Sequence, residues 1–359
     1  MKKIGIITIN DFNNYGNRVQ CYAVQEKLKK LDFIVENIYN TNQKKTVFSI
    51  TKRRIKLLLN YNNIRNLKKR SKMFDEFNKN ISFSKKKIIN GKINKTINKQ
   101  YDYFVVGSDQ VWNPNFNTTS DADFLTFADY DKRIALSASF GVSELPKNIV
   151  KDYKEKLEKF KKISVREAAG KRIIEKITSR NDVEVLIDPT MLLDEKEWDK
   201  VSKKPKQIDA IKEDRYILNY FLGNISDKRM REIEKIAKEN NCHIINILDK
   251  SDPFYITGPS EFLWLEKNAF LICTDSFHSS VFAILYNRPF IIFDRDDNHV
   301  NMNSRLETLL SKFKLEDRRF NGKMITKENL NHDYTEAYKI LEKERKKSEE
   351  FLKKALDIE

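Results

Sequence analysis

Glycine, proline and cysteine are scarce, with nine, seven and three copies in 359 residues. So little glycine leaves no G-x-G-x-x-G dinucleotide turn and no phosphate-binding P-loop. H-E-x-x-H and G-x-S-x-G are missing as well. Cys21, Cys242 and Cys273 are odd in number, far apart and set among apolar neighbours. That argues against a metal site and for buried, reduced thiols in a cytoplasmic protein. Of four histidines, His243, His299 and His332 have no spacing that suggests a metal. No apolar run is long enough to cross a bilayer. The opening MKKIGIITIN is closed by Asn10 and Asp11 after a short apolar stretch, so it reads as a first strand and not a signal peptide. With 40% hydrophobic and 33% charged residues the chain is globular, and its length suits two domains.

What is present in excess is positive charge, and it is local. The net charge is +16, and residues 41–100 carry 18 Lys and Arg against only Asp75 and Glu76. The rest of the chain is neutral, with 50 residues of each sign. A basic patch of this kind attracts polyanions: nucleic acid, anionic lipid or a polyphosphate-linked substrate. The segment has few aromatics and no nucleic-acid motif, so nucleic acid is not expected as a partner. A solvated basic insertion is the plainer alternative.

Apolar periodicity predicts a βαβ opening: a strand over residues 4–9, a helix over 17–30 with Asn17 as its cap, and a strand over 33–38. Strands over 103–106, 133–139, 163–166 and 183–187 alternate with helices to residue 189. A connector with one short helix near 195–201 leads to a second alternating run from 216 to 313. A charged helix over 334–357 closes the chain. The fold expected is α/β, two Rossmann-like domains facing across a cleft: residues 1–190, residues 191–330, and a closing C-terminal helix in 331–359. In such sheets ligands sit beyond the carboxyl ends of the strands, where the polar loops fall.

Several loops carry candidate chemistry. Thr274-Asp275-Ser276-Phe277-His278-Ser279-Ser280 leads from a buried strand into a helix start. Free N–H groups there suit a phosphate or carboxylate, and His278 is placed for acid–base work; plain helix capping is the competing account. Arg166 ends a strand and suits bidentate anion recognition, or a simple ion pair with an acid such as Glu167. Arg305 lies on the first turn of a late helix and offers a second cation. The loop Gly107 to Pro114 presents Ser108, Asp109, Gln110, Trp112 and Asn113, which can read hydroxyls, with Trp112 stacking on a sugar face or serving the core. The loop 13–20 offers Asn14, Gly16, Asn17 and Gln20. Asp121-Ala122-Asp123 matches the D-x-D of metal-dependent glycosyltransferases but reads best as an ordinary loop.

Taken in order, Asn14-Tyr15-Gly16-Asn17, residues 134–141 (IALSASFG), Ser164-Val165-Arg166-Glu167, Asp188-Pro189-Thr190, residues 271–278 (LICTDSFH) and 283–291 (AILYNRPFI) resemble the polysaccharide pyruvyl transferase family over residues 3–312. The resemblance implies a glycosyltransferase-B-like fold, phosphoenolpyruvate as donor and co-substrate, a sugar diol as acceptor, and no cofactor or metal. It implies His278 in catalysis, with Asp275 taken as the nearby carboxylate, and Arg166 in donor binding. Ser276, Ser279 and Arg305 join the expected donor set, and Asn14, Asn17, Gln20, Ser108, Asp109, Gln110, Trp112 and Asn113 the acceptor set. Many members have Arg-Leu-His where this chain has Ser276-Phe277-His278, and Arg305 or Arg295 is the expected substitute. A role in exopolysaccharide or capsule synthesis follows from the resemblance. So does an acceptor on polyprenyl diphosphate at the inner membrane face, with residues 41–100 resting on anionic lipid. The alternative is a nucleotide-sugar glycosyltransferase of the same architecture.

Overall fold

The computed structural model describes residues 1–11, 13–41, 61–89, 95–116, 118–295, 304–322, 325, 330–331 and 333–358. Seven strands, all paired in parallel, form the first sheet: β1 (Lys3–Ile7), β2 (Ile34–Thr41), β3 (Phe83–Ile89), β4 (Tyr103–Val106), β5 (Arg133–Ala138), β6 (Lys162–Val165) and β7 (Glu184–Val185). Their order is β3-β2-β1-β4-β5-β6-β7. The order reverses between β1 and β4, and a crevice opens there at the strand ends. The second sheet holds β8 (Arg215–Tyr220), β9 (Cys242–Asn246), β10 (Leu271–Thr274) and β11 (Phe290–Ile292), ordered β11-β10-β8-β9 and also parallel. Its reversal lies between β8 and β10. The two reversals face each other.

Helices follow the strands: α1 (Tyr15–Lys29), α2 (Tyr61–Asn78), α3 (Val150–Leu157), α4 (Ala168–Ile177), α5 (Glu195–Asp199), α6 (Asp227–Glu239), α7 (Pro259–Asn268), α8 (Phe277–Leu285), α9 (Ser304–Phe313) and α10 (Thr335–Ala355). α1 is capped by Asn14, whose side chain accepts from the Asn17 amide at 3.2 Å, three residues ahead of the expected cap. It buries both flanks because it is wedged between its own sheet and the second domain. Tyr15 stacks on Phe262 with centroids 4.8 Å apart, and Tyr22 meets Trp198 at 5.6 Å. α8 is buried along all nine residues, which a continuous apolar helix requires.

The sequence pattern did not point to β3. Its Lys85, Lys86 and Lys87 form an exposed run between buried Ser84 and Ile88, which hides the apolar alternation of a strand. It is an edge strand, and lysines there oppose edge-to-edge association. Within the basic segment, α2 is described over Tyr61–Asn78. Residues 42–60 and 90–94 of the basic segment, and His299 and His332, lie outside the described residues.

One basic residue of that segment points inward. Arg70 on α2 is buried and donates to the Tyr15 hydroxyl (2.6 Å) and the Tyr255 carbonyl (2.8 Å). Its guanidinium also lies 4.5, 4.9 and 5.1 Å from the rings of Tyr15, Phe74 and Tyr255. It latches the domains together. Arg65, Lys68, Lys69 and Lys72 on the same helix are exposed. α10 spans both domains: Ala337 and Leu341 join the second domain's core, while Phe351, Leu352, Ala355 and Leu356 pack against Ile4, Ile6, Val24 and Val105 of the first. Among the described residues, no helix is long and apolar enough to cross a membrane.

Candidate active site

A cleft of about 240 Å³ lies where the two reversals meet, lined by Asn14, Asn17, Asp109, Gln110, Ser276, Phe277, His278, Arg295 and Arg305 among others. Two helix starts converge on it. His278, in the first turn of α8, rests against Gly16 in the first turn of α1. A Cβ at Gly16 would lie 2.8 Å from Cε1 and 2.9 Å from Cγ of the imidazole, and closer still to Nδ1. Only glycine lets the ring approach this closely.

Beneath the imidazole lies a buried charge network. Asp188, in the turn after β7, accepts from Arg166 (2.6 Å), from the Ser108 hydroxyl (2.9 Å), and from the Thr190 amide (3.0 Å) and hydroxyl (2.7 Å). Its Oδ2 lies 3.9 Å from His278 Nε2. Burial works against a carboxylate here, but Arg166, His278 and the Thr190 bonds outweigh it and hold Asp188 down to about 2. Arg166 also reaches Asp109 at 3.4 Å. Burial opposes its charge, yet Asp188 and Asp109 keep its pKa above the ordinary arginine value. For His278 burial dominates: its pKa is lowered despite Asp188 and Asp109, and its Nε2 has no hydrogen-bond partner. The imidazole is therefore neutral near pH 7 and available to bind a proton. Arg305 is pushed down to about 10, by burial and by the nearby Arg166.

The remaining expected residues divide by position. Asn14 and Asn17 face the cleft, and Asn17 donates its side-chain amide to Asp109. Asp109 adopts φ 68° and Gln110 follows it into the cleft, so both present their side chains there. With its amide turned to suit its neighbours, Gln110 accepts from Arg305 at 3.2 and 3.3 Å. Ser276 lines the cleft without capping α8 through its side chain.

Others are placed differently from expectation. Trp112 is fully buried, donates to the Asp123 carbonyl at 2.8 Å and stacks on Phe124, so it is a core residue and no sugar platform. Phe116, 36% exposed, is the aromatic of this loop that lines the cleft. Gln20 is buried and donates to Thr8, Ser108 serves Asp188, and Asn113 meets Gln110 at 2.6 Å; all three brace the loops from behind. Ser279 turns away and donates to buried Glu266 at 2.6 Å, which removes it from any donor set. Asp275 is not the carboxylate beside His278. It accepts from the Leu222 and Gly223 amides, both at 2.7 Å, and pairs with Arg295 at 2.9 Å, tying the β8 and β10 loops together. Asp188 takes the place expected for it. Glu167, the nearby acid of the simple ion-pair account, instead accepts from Ser139 and the Phe140 amide. Asp123 of the D-x-D is buried in a capping box with Ser120, while Asp121 is an exposed partner of Lys156. Among the described residues, no three His, Cys, Asp or Glu side chains converge to hold a metal ion.

A family model described as polysaccharide pyruvyl transferase matches residues 14–297, most of the chain. No curated protein sequence matches. Among solved structures, one from Listeria monocytogenes described as a UDP-N-acetylglucosamine 2-epimerase aligns with TM-score 0.50 at 12% identity, covering 98% of this chain and 90% of that one. MurG from Acinetobacter baumannii aligns at 0.45 and 11%, covering 100% of both chains. A glycosyltransferase from Rickettsia africae aligns at 0.48 and 13%, covering 99% of both. At these identities the likeness speaks to fold alone. The architecture is of the glycosyltransferase-B type: two α/β domains facing across a cleft.

Proposed function

The chain belongs to the polysaccharide pyruvyl transferase family, and we propose that it moves the enolpyruvyl group of phosphoenolpyruvate onto a sugar diol as a pyruvate ketal. One observation carries this reading. A single neutral imidazole shares a small cleft with the Arg305 guanidinium and stands 3.9 Å from the buried carboxylate of Asp188, which pairs with Arg166 beneath it.

The reaction needs a proton source, proton acceptors and an anion receptor. The donor methylene carbon takes one proton, which makes the adjacent carbon electrophilic. One sugar hydroxyl adds there, the C–O bond to phosphate breaks, and the second hydroxyl closes the ring. The diol loses two protons: one balances the new methyl group and the other leaves on phosphate. His278, its pKa lowered by burial, is neutral near pH 7 and suited to accept a hydroxyl proton. A bound trianion raises the affinity of the imidazole for a proton and lets it act as the acid. Asp188 orients the ring and stabilises its charged form. The Arg166 and Arg305 guanidiniums and the α8 start, with Ser276, take the donor's phosphate and carboxylate. Asn14, Asn17, Asp109 and Gln110 from the first domain meet the acceptor.

The test is phosphate release from phosphoenolpyruvate with galactose-, mannose- and glucosamine-terminated acceptors. Release that needs both substrates is expected. No release, together with thermal stabilisation by a nucleotide sugar, would replace the reading with the glycosyltransferase one. A lipid-linked acceptor fits a chain working on the cytoplasmic membrane face, with the exposed cations of α2 and β3 toward anionic lipid. Co-sedimentation with anionic vesicles, lost on charge reversal of those residues, is the expected result.

A further inference from the structure

Phe277 stands between the two cations that the proposed donor must meet. Its ring lies 4.4 Å from the Arg166 guanidinium carbon and 5.9 Å from that of Arg305. It meets the His278 imidazole edge-on at 5.5 Å and 89°. One side of it lines the cleft, and the other lines a crevice with Arg166, Asp188 and Thr308. The two arginines arrive from different domains, Arg166 from the end of β6 and Arg305 from the first turn of α9. Both are buried, at 3% and 8% exposure. Like charges at close quarters in a dry site repel, and the lowered pKa of Arg305 registers that repulsion as well as burial. An aromatic face offsets it, because a ring attracts cations where an aliphatic side chain of similar bulk does not.

We propose that Phe277 is a positioning residue that gathers Arg166 and Arg305 into one receptor for a multiply charged anion bearing phosphoryl and carboxylate groups. The receptor follows from the geometry, and only the identity of the anion rests on the donor reading above. It gives a physical account of Ser276-Phe277-His278: the turn supplies no cation itself but holds two from elsewhere.

The experiment measures binding of phosphoenolpyruvate and, separately, inorganic pyrophosphate to the full-length chain by calorimetry. Phe277→Leu is expected to weaken both about five- to thirtyfold, while Phe277→Tyr, which keeps the ring, stays near the wild type. Arg305→Gln is expected to lose at least as much as Phe277→Leu, and the double variant little more than Arg305→Gln alone. Should Phe277→Leu fail to fold, Arg305→Lys carries the test: it keeps the charge, loses the planar stack, and is expected to weaken binding similarly. A folded Phe277→Leu that binds both anions like the wild type overturns the proposal and leaves the donor reading intact. Pyrophosphate binding that depends on Phe277, with no binding of phosphoenolpyruvate, supports the receptor and removes the donor reading. Binding of neither anion by the wild type overturns both.

Discussion

Arg70 and Arg166 are both buried, both stacked on aromatic rings and both at the meeting of the domains, yet their surroundings are opposite. Arg70 donates only to uncharged oxygens, of Tyr15, Tyr255 and Thr257. Arg166 lies between two carboxylates, Asp188 and Asp109, with His278 and Arg305 beyond. A guanidinium closed in by carbonyls and rings has no counterion to trade and serves as a latch. One held among acids at a cleft belongs to a charge network that an arriving anion can rearrange. Burial alone does not mark a functional arginine; the partners do.

That contrast can be broken from its catalytic end first. His278→Ala is expected to lower turnover about 10²- to 10⁴-fold with the fold retained, as circular dichroism and phosphate release would record. Arg166→Ala leaves two buried acids without their counterion and should cost about 3–5 kcal/mol of stability along with donor binding, read by denaturant melts and calorimetry. Arg70→Met separates the two roles. It should lower the melting temperature by several degrees while the folded protein binds phosphoenolpyruvate nearly as before; a specific loss of binding would erase the distinction. Gly16→Ala is subtler. Helix propensity alone predicts stabilisation by about 1 kcal/mol, whereas the contact with His278 predicts displacement of the ring and a fall in kcat.

The smallest effect is one of pH. His278 has a lowered pKa in the fold, so the unfolded chain binds its proton more readily below the ordinary value of 6.5. Stability should therefore decline as pH falls below about 6.5, and less so in His278→Gln. Asp188, held down to about 2, contributes stability that is present above the ordinary carboxylate range. That contribution fades only as pH drops toward 2, outside this window.

The sequence made the strands and the loops at their ends legible, because buried parallel strands read as short apolar runs and the polar residues after them stand out. His278, Arg166, Arg305, Asn17 and Asp109 were visible for that reason; the structure brings four of them to one cleft and sets Arg166 beneath it, paired with Asp188 and Asp109. What could not be read were partnerships between distant segments. Trp112 and Phe116 share a loop, and only packing decides that the first enters the core. Ser279 follows His278 directly, yet one residue turns a helix by about 100°, enough to aim it at Glu266. Asp275 sits closer in sequence to His278 than Asp188 does, but two backbone amides and Arg295 claim it. Asp188 was quoted only as part of a motif. The pairing of Tyr15 with Arg70 carried no signal, since a latch of carbonyls and rings leaves no pattern in the residues that make it.

The last helix has a consequence for the order of assembly. α10 lays Phe351 and Leu352 against Ile4 and Ile6, so a segment that follows the whole second domain forms a wall of the first domain's hydrophobic interior. During synthesis from the N-terminus that interior stays open on one side until the second domain and α10 have been made. The first sheet must wait, partly unsealed, for the second to be finished.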